Sequence, residues 1–191
     1  MIVIVSAPSG SGKTTMVSEL LSRIPGIRRS VSCTTRSPRA GEADKEDYIF
    51  LKKDIFRDMI DRGEFLEWEE NFGYYYGTPR RQVEEAIEEG EDIVLSIDVK
   101  GARRVKRTFP GSISVFVMPP SLDELEARLK KRNTDRDDEV QKRLKESERE
   151  MASADEYDYL IINEELGKAV DELVYLVETE RKNRDKQSSK R

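Results

Sequence analysis

Residues 7–14 read Ala-Pro-Ser-Gly-Ser-Gly-Lys-Thr. The run fits the phosphate-binding pattern G-x-x-x-x-G-K-[ST], with Ala7 in place of the first glycine. Small residues let the backbone curl so that successive N–H groups aim at phosphate oxygens. A helix beginning near Lys13 points its positive dipole end at the same place. Lys13 would reach the β- and γ-phosphates, and the Thr14 hydroxyl would be offered to Mg²⁺. The candidate triphosphate-binding residues are therefore Ala7, Pro8, Ser9, Gly10, Ser11, Gly12, Lys13, Thr14 and the adjoining Thr15. A plain Gly/Ser turn ahead of a lysine is the alternative, and the strand-like and helix-like flanks argue against it. The loop implies a nucleoside triphosphate without naming what receives the phosphate, since GTPases, motors and small-molecule kinases all use it.

A second constellation bears on the acceptor. Residues 32–42, Ser-Cys-Thr-Thr-Arg-Ser-Pro-Arg-Ala-Gly-Glu, set Arg36 and Arg39 three apart beside Pro38. Arginine suits bidentate phosphate recognition, and tyrosine hydroxyls complete such a shell. Tyr48 follows, and Tyr76-Gly77-Thr78 comes later. Two arginines near a proline usually mean surface charge, but a triphosphate loop upstream turns the reading toward a phosphorylated acceptor. There is no histidine, which removes Ser-His-Asp and Cys-His nucleophile systems and histidine metal sites. Catalysis must then run on carboxylates, lysine, arginine, hydroxyls, backbone amides or a borrowed metal ion. The single cysteine, Cys33, excludes an intrachain disulfide and reads as a small buried residue.

Elements must hold these groups in place. Ile2 to Val5 is a continuous β-branched run, as in a parallel strand covered on both faces. Met16, Val17, Leu20, Leu21 and Ile24 follow a helical period that Pro25-Gly26 stops. Between residues 30 and 78 the texture changes. Short strands are predicted at 31–35, 48–51, 65–68 and 74–76, with a short helix over 55–63. Four of the seven tyrosines and the only tryptophan fall there. The α/β rhythm resumes with helices over 79–89 and 99–108, strands at 93–97, 113–117 and 159–162, and a closing helix over 166–181. A polar, frayed tail is expected from residue 182. Of residues 124–150, 18 are charged, nine of each sign. The alternation implies an α/β fold with a mainly parallel central sheet.

Composition sets the outer limits. The 191 residues carry 34 basic and 39 acidic side chains, a net charge of −5. That mild acidity argues against nonspecific nucleic-acid binding. No run approaches the roughly 18 apolar residues of a membrane span, and Met1 to Val5 is too short for a secretory signal. The expectation is a cytoplasmic protein with no membrane, nucleic acid or obligate protein partner.

Taken together, the motifs resemble the guanylate kinase family. The phosphate loop and the S-C-T-T-R-S-P-R-A-G-E arm are followed in order by F-L-E-W, Y-Y-G-T, I-D-V-K-G, K-R-N-T, Q-K-R-L and I-I-N-E-E-L, over about residues 2–180. The resemblance implies a P-loop three-layer fold with a core at 1–30, 79–122 and 151–181, a β-rich GMP-binding region at 31–78, and a helical lid at 123–150. It implies ATP-dependent phosphorylation of GMP, and of dGMP, with Mg²⁺ as cofactor. By it, Arg36, Arg39, Tyr48 and Tyr76 would hold the GMP phosphate, and Ser32, Glu67 and Thr78 would read guanine. Guanine presents N1–H and an exocyclic amine as adjacent donors, which one carboxylate can accept; alternation alone makes Glu67 an ordinary solvent-facing strand residue. Asp98 would lie near the reacting phosphates, GMP and Mg²⁺. Arg128, Arg132 and Arg143 would close over ATP and act with Lys13 and Arg36 in catalysis, and Asn163 would contact adenine. Two residues depart from the family pattern, Ser96 in place of a carboxylate and Lys100 in place of glutamine. Two rival readings remain. One is a P-loop kinase of another phosphorylated small molecule. The other is a non-catalytic peptide-binding module, although such modules generally lose the loop that Gly12, Lys13 and Thr14 keep here.

Overall fold

The computed structural model describes residues 1–131 and 137–188. Its central sheet contains β1 (Ile2–Ser6), β2 (Ile27–Arg29), β7 (Asp92–Ser96), β8 (Ile113–Met118) and β9 (Tyr159–Ile162). Their order is β2-β7-β1-β8-β9, and every pairing is parallel. The β-branched run of β1 is buried along its length because both faces are covered. Val3 and Val5 pack against α1 (Lys13–Arg23) and α7 (Leu166–Ser188). Ile2 and Ile4 pack on the other side, against α3 (Arg80–Glu88) and α4 (Val99–Thr108). The fold is thus a three-layer α/β structure with a parallel sheet in the middle.

A second sheet forms between β2 and α3. Its order is β4-β3-β6-β5, built from β3 (Cys33–Thr34), β4 (Ile49–Phe50), β5 (Phe65–Asn71) and β6 (Tyr74–Pro79). The amphipathic helix α2 (Lys53–Asp61) lays Phe56 on it, stacked on Phe65 at 4.3 Å and on Tyr75 at 5.4 Å between ring centroids. Cys33 is buried in this small core, which pushes its thiol up to about 12. Two further helices, α5 (Leu122–Lys131) and α6 (Asp137–Met151), stand over the same end of the molecule, held by Leu125, Leu129 and Val140.

Two expectations differ from the structure. The strand sought at 31–35 shrinks to the two-residue β3 on the small sheet, and the edge strand β2 of the central sheet, just upstream, was not expected. Only Ile27 marks β2 as apolar, because Arg28 and Arg29 follow it at the sheet edge. The tail expected to fray at 182 instead continues α7 to Ser188. Arg181 and Arg184 each reach the buried Asp92 carboxylate at 2.6 Å, tying the last turns to the start of β7. Among the described residues no helix is long and apolar enough to cross a membrane.

Candidate active site

The phosphate loop leaves the C-terminal end of β1, where open parallel sheets receive ligands. The Ser11 N–H donates to the Pro8 carbonyl at 3.1 Å and tightens the turn. Gly12 has φ 90° at the start of α1, and a Cβ there would come within 2.6 Å of Asn163 Nδ2. Glycine meets both demands. Asn163 is buried, and its Nδ2 donates to the Ser11 carbonyl at 2.7 Å. It therefore supports the loop from behind and is not among the residues lining the cavity.

That cavity, about 280 Å³, has residues 7–10 and 12–15 on one wall. The Lys13 ammonium donates to the Ile97 carbonyl at 3.0 Å. Burial pulls its pKa below the ordinary lysine value, against the raising influence of Glu150 and Asp98. The opposite wall belongs to the small sheet and the arm that runs through β3 toward β4: Ser32, Arg36, Arg39, Tyr48, Glu67 and Tyr76 all line the cavity. The structure thus brings the loop and the arginine arm, far apart in sequence, onto one space.

Arg36 is buried and held as a fork, its Nη1 and Nη2 donating to the two oxygens of Glu42 at 2.6 and 2.7 Å. It lies 5.0 Å over the Tyr48 ring. The guanidinium beside Glu42 holds that carboxyl below its usual range. Glu42 closes the same eleven-residue arm, so its place was visible in the sequence although its pairing was not. Arg39 is exposed, and its backbone N–H also donates to Glu42, at 2.7 Å.

Glu67 is 6% exposed, which rejects the solvent-facing reading suggested by alternation. Burial pushes its carboxyl up to about 7, against the lowering effect of the hydrogen bond from Thr78 Oγ1 at 2.5 Å. Thr78 is buried behind Glu67 and is not among the lining residues. Asp98 caps α4, its Oδ1 accepting from the Gly101 N–H at 2.8 Å, while its Oδ2 accepts from Asn71 Nδ2 at 2.7 Å. Ser96 lines the cavity; Lys100 does not, and its Nζ stands 3.8 Å from Glu69.

The expected lid arginines separate. Arg143 lines the cavity, with its guanidinium 5.9 Å over the Phe72 ring at the β5–β6 turn. Arg128 instead donates to Glu124 at 3.1 Å and to the Asn163 carbonyl at 3.4 Å, outside the lining residues. Arg132 lies outside the described residues. Sequence reasoning missed Glu146, Ser147 and Glu150, which follow Arg143 at helical intervals of three, four and seven and share its cavity-facing side. The nine-to-nine charge balance of the segment hid that row. Burial pushes Glu150 up to about 7.

A sequence model of the guanylate kinase family matches residues 1–180. The chain belongs to the guanylate kinase family. It is 49% identical over 180 residues to the guanylate kinase of Aromatoleum aromaticum, covering 94% of this chain and 88% of that protein. The guanylate kinase of Carboxydothermus hydrogenoformans is 46% identical over 181 residues, with 95% and 89% covered. The crystal structure of guanylate kinase from Anaplasma phagocytophilum superposes with a TM-score of 0.80 at 32% identity, covering 94% of this chain and 85% of that one. The family match therefore spans both sheets and the α5–α6 segment, and it does not favour the rival readings.

Proposed function

We propose that this guanylate kinase family chain passes the γ-phosphoryl group of ATP in line to the phosphate of GMP, or of dGMP, giving ADP and the nucleoside diphosphate. One observation carries the proposal. A phosphate loop with its lysine and an arginine–tyrosine arm with a buried carboxylate line the same cavity from opposite sides. Arg36, Arg39, Tyr48 and Tyr76 hold the acceptor phosphate. Ser32 and Glu67 read guanine, Glu67 accepting from both N1–H and the amine, while Thr78 acts through the hydrogen bond it donates to Glu67. None of these contacts needs a 2′-hydroxyl, which is why dGMP is included. The acceptor phosphate has a second pKa of about 6, so it is mostly dianionic at neutral pH and needs no general base. Catalysis is positioning and charge neutralisation, supplied by Lys13 on the donor side, Arg36 on the acceptor side and Arg143 from the lid. Arg128 acts through Asn163 and the loop, and Arg132 belongs to the same lid segment. Closure of that segment keeps water from the transferring group.

The donor set suits a magnesium ion that arrives with the nucleotide. Among the described residues no three acidic, cysteine or histidine side chains gather as a cage. Mg²⁺ is commonly held by one or two protein oxygens, substrate phosphates and water. Thr14 would supply the hydroxyl, and Asp98, whose two oxygens already accept from Gly101 and Asn71, would act through water. When bound, the ion neutralises charge on the β- and γ-phosphates. The reaction belongs to cytoplasmic purine nucleotide metabolism and needs no nucleic acid or protein partner.

Arg39→Met tests the division between donor and acceptor. Losing a charge-assisted hydrogen bond costs about 1.5–3 kcal/mol, so GMP should bind roughly ten- to a hundredfold more weakly. ATP binding, titrated separately by calorimetry, should be unchanged. Equal losses for both nucleotides would remove the arm from the acceptor site.

A further inference from the structure

Strand β5 turns Glu67, Glu69 and Asn71 to one side at alternate positions, and α4 with its N-cap meets each of them. Asn71 Nδ2 donates to Asp98 at 2.7 Å. Arg104 Nη2 lies 2.6 Å from Glu69 Oε1, while its Nη1 donates to the Trp68 carbonyl. Lys100 Nζ approaches the other Glu69 oxygen at 3.8 Å. A Cβ on Gly101 would come within 2.7 Å of Glu67 Oε2, so the carboxylate rests directly on the helix backbone. This row joins a helix of the central layers to a strand of the small sheet, along the seam where Glu67 must be placed.

The ladder beside β5 does not fix that placement alone. The β5–β6 register shifts between Phe65 and Glu67, immediately before the carboxylate in question. A register shift lets a strand bend and re-aim its side chains. Beyond the shift, α4 grips the strand from the other side. Arg104 holds both a side chain and a main-chain oxygen of β5, and Glu69 is only 15% exposed, so its charge is largely out of water and answered by a partner. Arg104 is also a cation whose field draws the Glu67 carboxyl down toward its ionised form.

We propose that Glu69 and Arg104, assisted by Lys100, are specificity-positioning residues. Their ion pair clamps β5 to α4 and holds Glu67 where it reads the guanine base. The proposal rests on the assignment of Glu67 to guanine. It also gives Lys100 an occupation outside the cavity. Arg104 is not among the residues lining the cavity, whereas Glu69 lines it beside Glu67 and Asn71 of the same strand, so loss of the pair should be felt in base selection and not in ATP binding.

The test compares kcat/KM for GMP with that for inosine monophosphate, which keeps N1–H but lacks the 2-amino group, in the full chain. Glu69→Gln and Arg104→Met should each lower the GMP-over-IMP ratio about three- to tenfold through KM for GMP, the range expected when one coupled contact is lost. KM for ATP should stay within twofold. The double variant should be no worse than either single one, because the pair acts as a unit. Arg104→Lys, which keeps the charge but not the fork, should fall between parent and Arg104→Met. Glu67→Gln, run alongside, should lower the ratio at least tenfold. If Arg104→Met does not fold, the near-isosteric Glu69→Gln decides. Unchanged ratios in the Glu69 and Arg104 variants beside a fall in Glu67→Gln overturn the clamp and leave the guanine assignment standing. An unchanged ratio in Glu67→Gln overturns both.

Discussion

The Lys13 ammonium rests 3.0 Å from the Ile97 carbonyl, a contact that a phosphate oxygen can replace. Lys13→Ala should therefore leave the fold intact and remove most turnover. Loss of one preorganised charge stabiliser costs about 2.7–4 kcal/mol, a hundredfold or more in rate. Single-turnover kinetics at saturating ATP measure it, and a rate within threefold of the parent would contradict the loop's role. Glu67 makes a different kind of statement. Its carboxyl is raised to about 7 by burial, so between about pH 4.3 and 7 the folded chain holds a proton that the unfolded chain has released. Its contribution to stability is present below that window and is lost as pH rises through it. Glu67→Gln should then melt a few degrees above the parent at pH 8, with the gap closing by pH 5. A variant that melts lower at both pH values would contradict the burial cost. The place of Lys13 and Arg36 on the cavity was legible because motif spacing marks both residues. The burial of Glu67 was not, because an alternating strand leaves open which face meets solvent, and here β5 turns Glu67 toward α4.

Strand β9 shows how an element sets a site at a distance. It ends by delivering Asn163 to the underside of the phosphate loop, where Nδ2 holds the Ser11 carbonyl at 2.7 Å. Removing that support should loosen the loop before it unfolds the sheet. For Asn163→Ala the buried hydrogen bond is worth about 1–3 kcal/mol, so the melting temperature should fall by several degrees and KM for ATP should rise, with KM for GMP unchanged. Equal changes in both constants would show the effect to be global. The central strands and most helices were legible from β-branched runs and helical periods. Strand β2 was not, since Arg28 and Arg29 occupy two of its three positions. The end of α7 was missed for a related reason. Its last turns carry few apolar residues and are fixed by Arg181 and Arg184 on Asp92, about 90 residues away in sequence. Pairings between distant charges leave no local period to read.

The two sheets meet across the cavity, one holding the phosphate loop and the other the arginine arm, to which the triphosphate and the monophosphate are respectively proposed to bind. That division could be anticipated, because both constellations and the change of texture between residues 30 and 78 are local in sequence. The row Arg143, Glu146, Ser147 and Glu150 could not, because its facing side is decided by how α6 stands against the other elements. A chain built this way should distinguish acceptors by base, not by the mere presence of a phosphate. The decisive measurement is ADP release from ATP and Mg²⁺ with GMP, dGMP, AMP, UMP and a sugar phosphate supplied in turn. GMP, followed by dGMP, should support turnover at a kcat/KM at least a hundredfold above AMP or UMP, as expected of a site that hydrogen-bonds the base. Comparable rates with AMP or UMP, or ADP release that does not depend on GMP, would contradict the assignment.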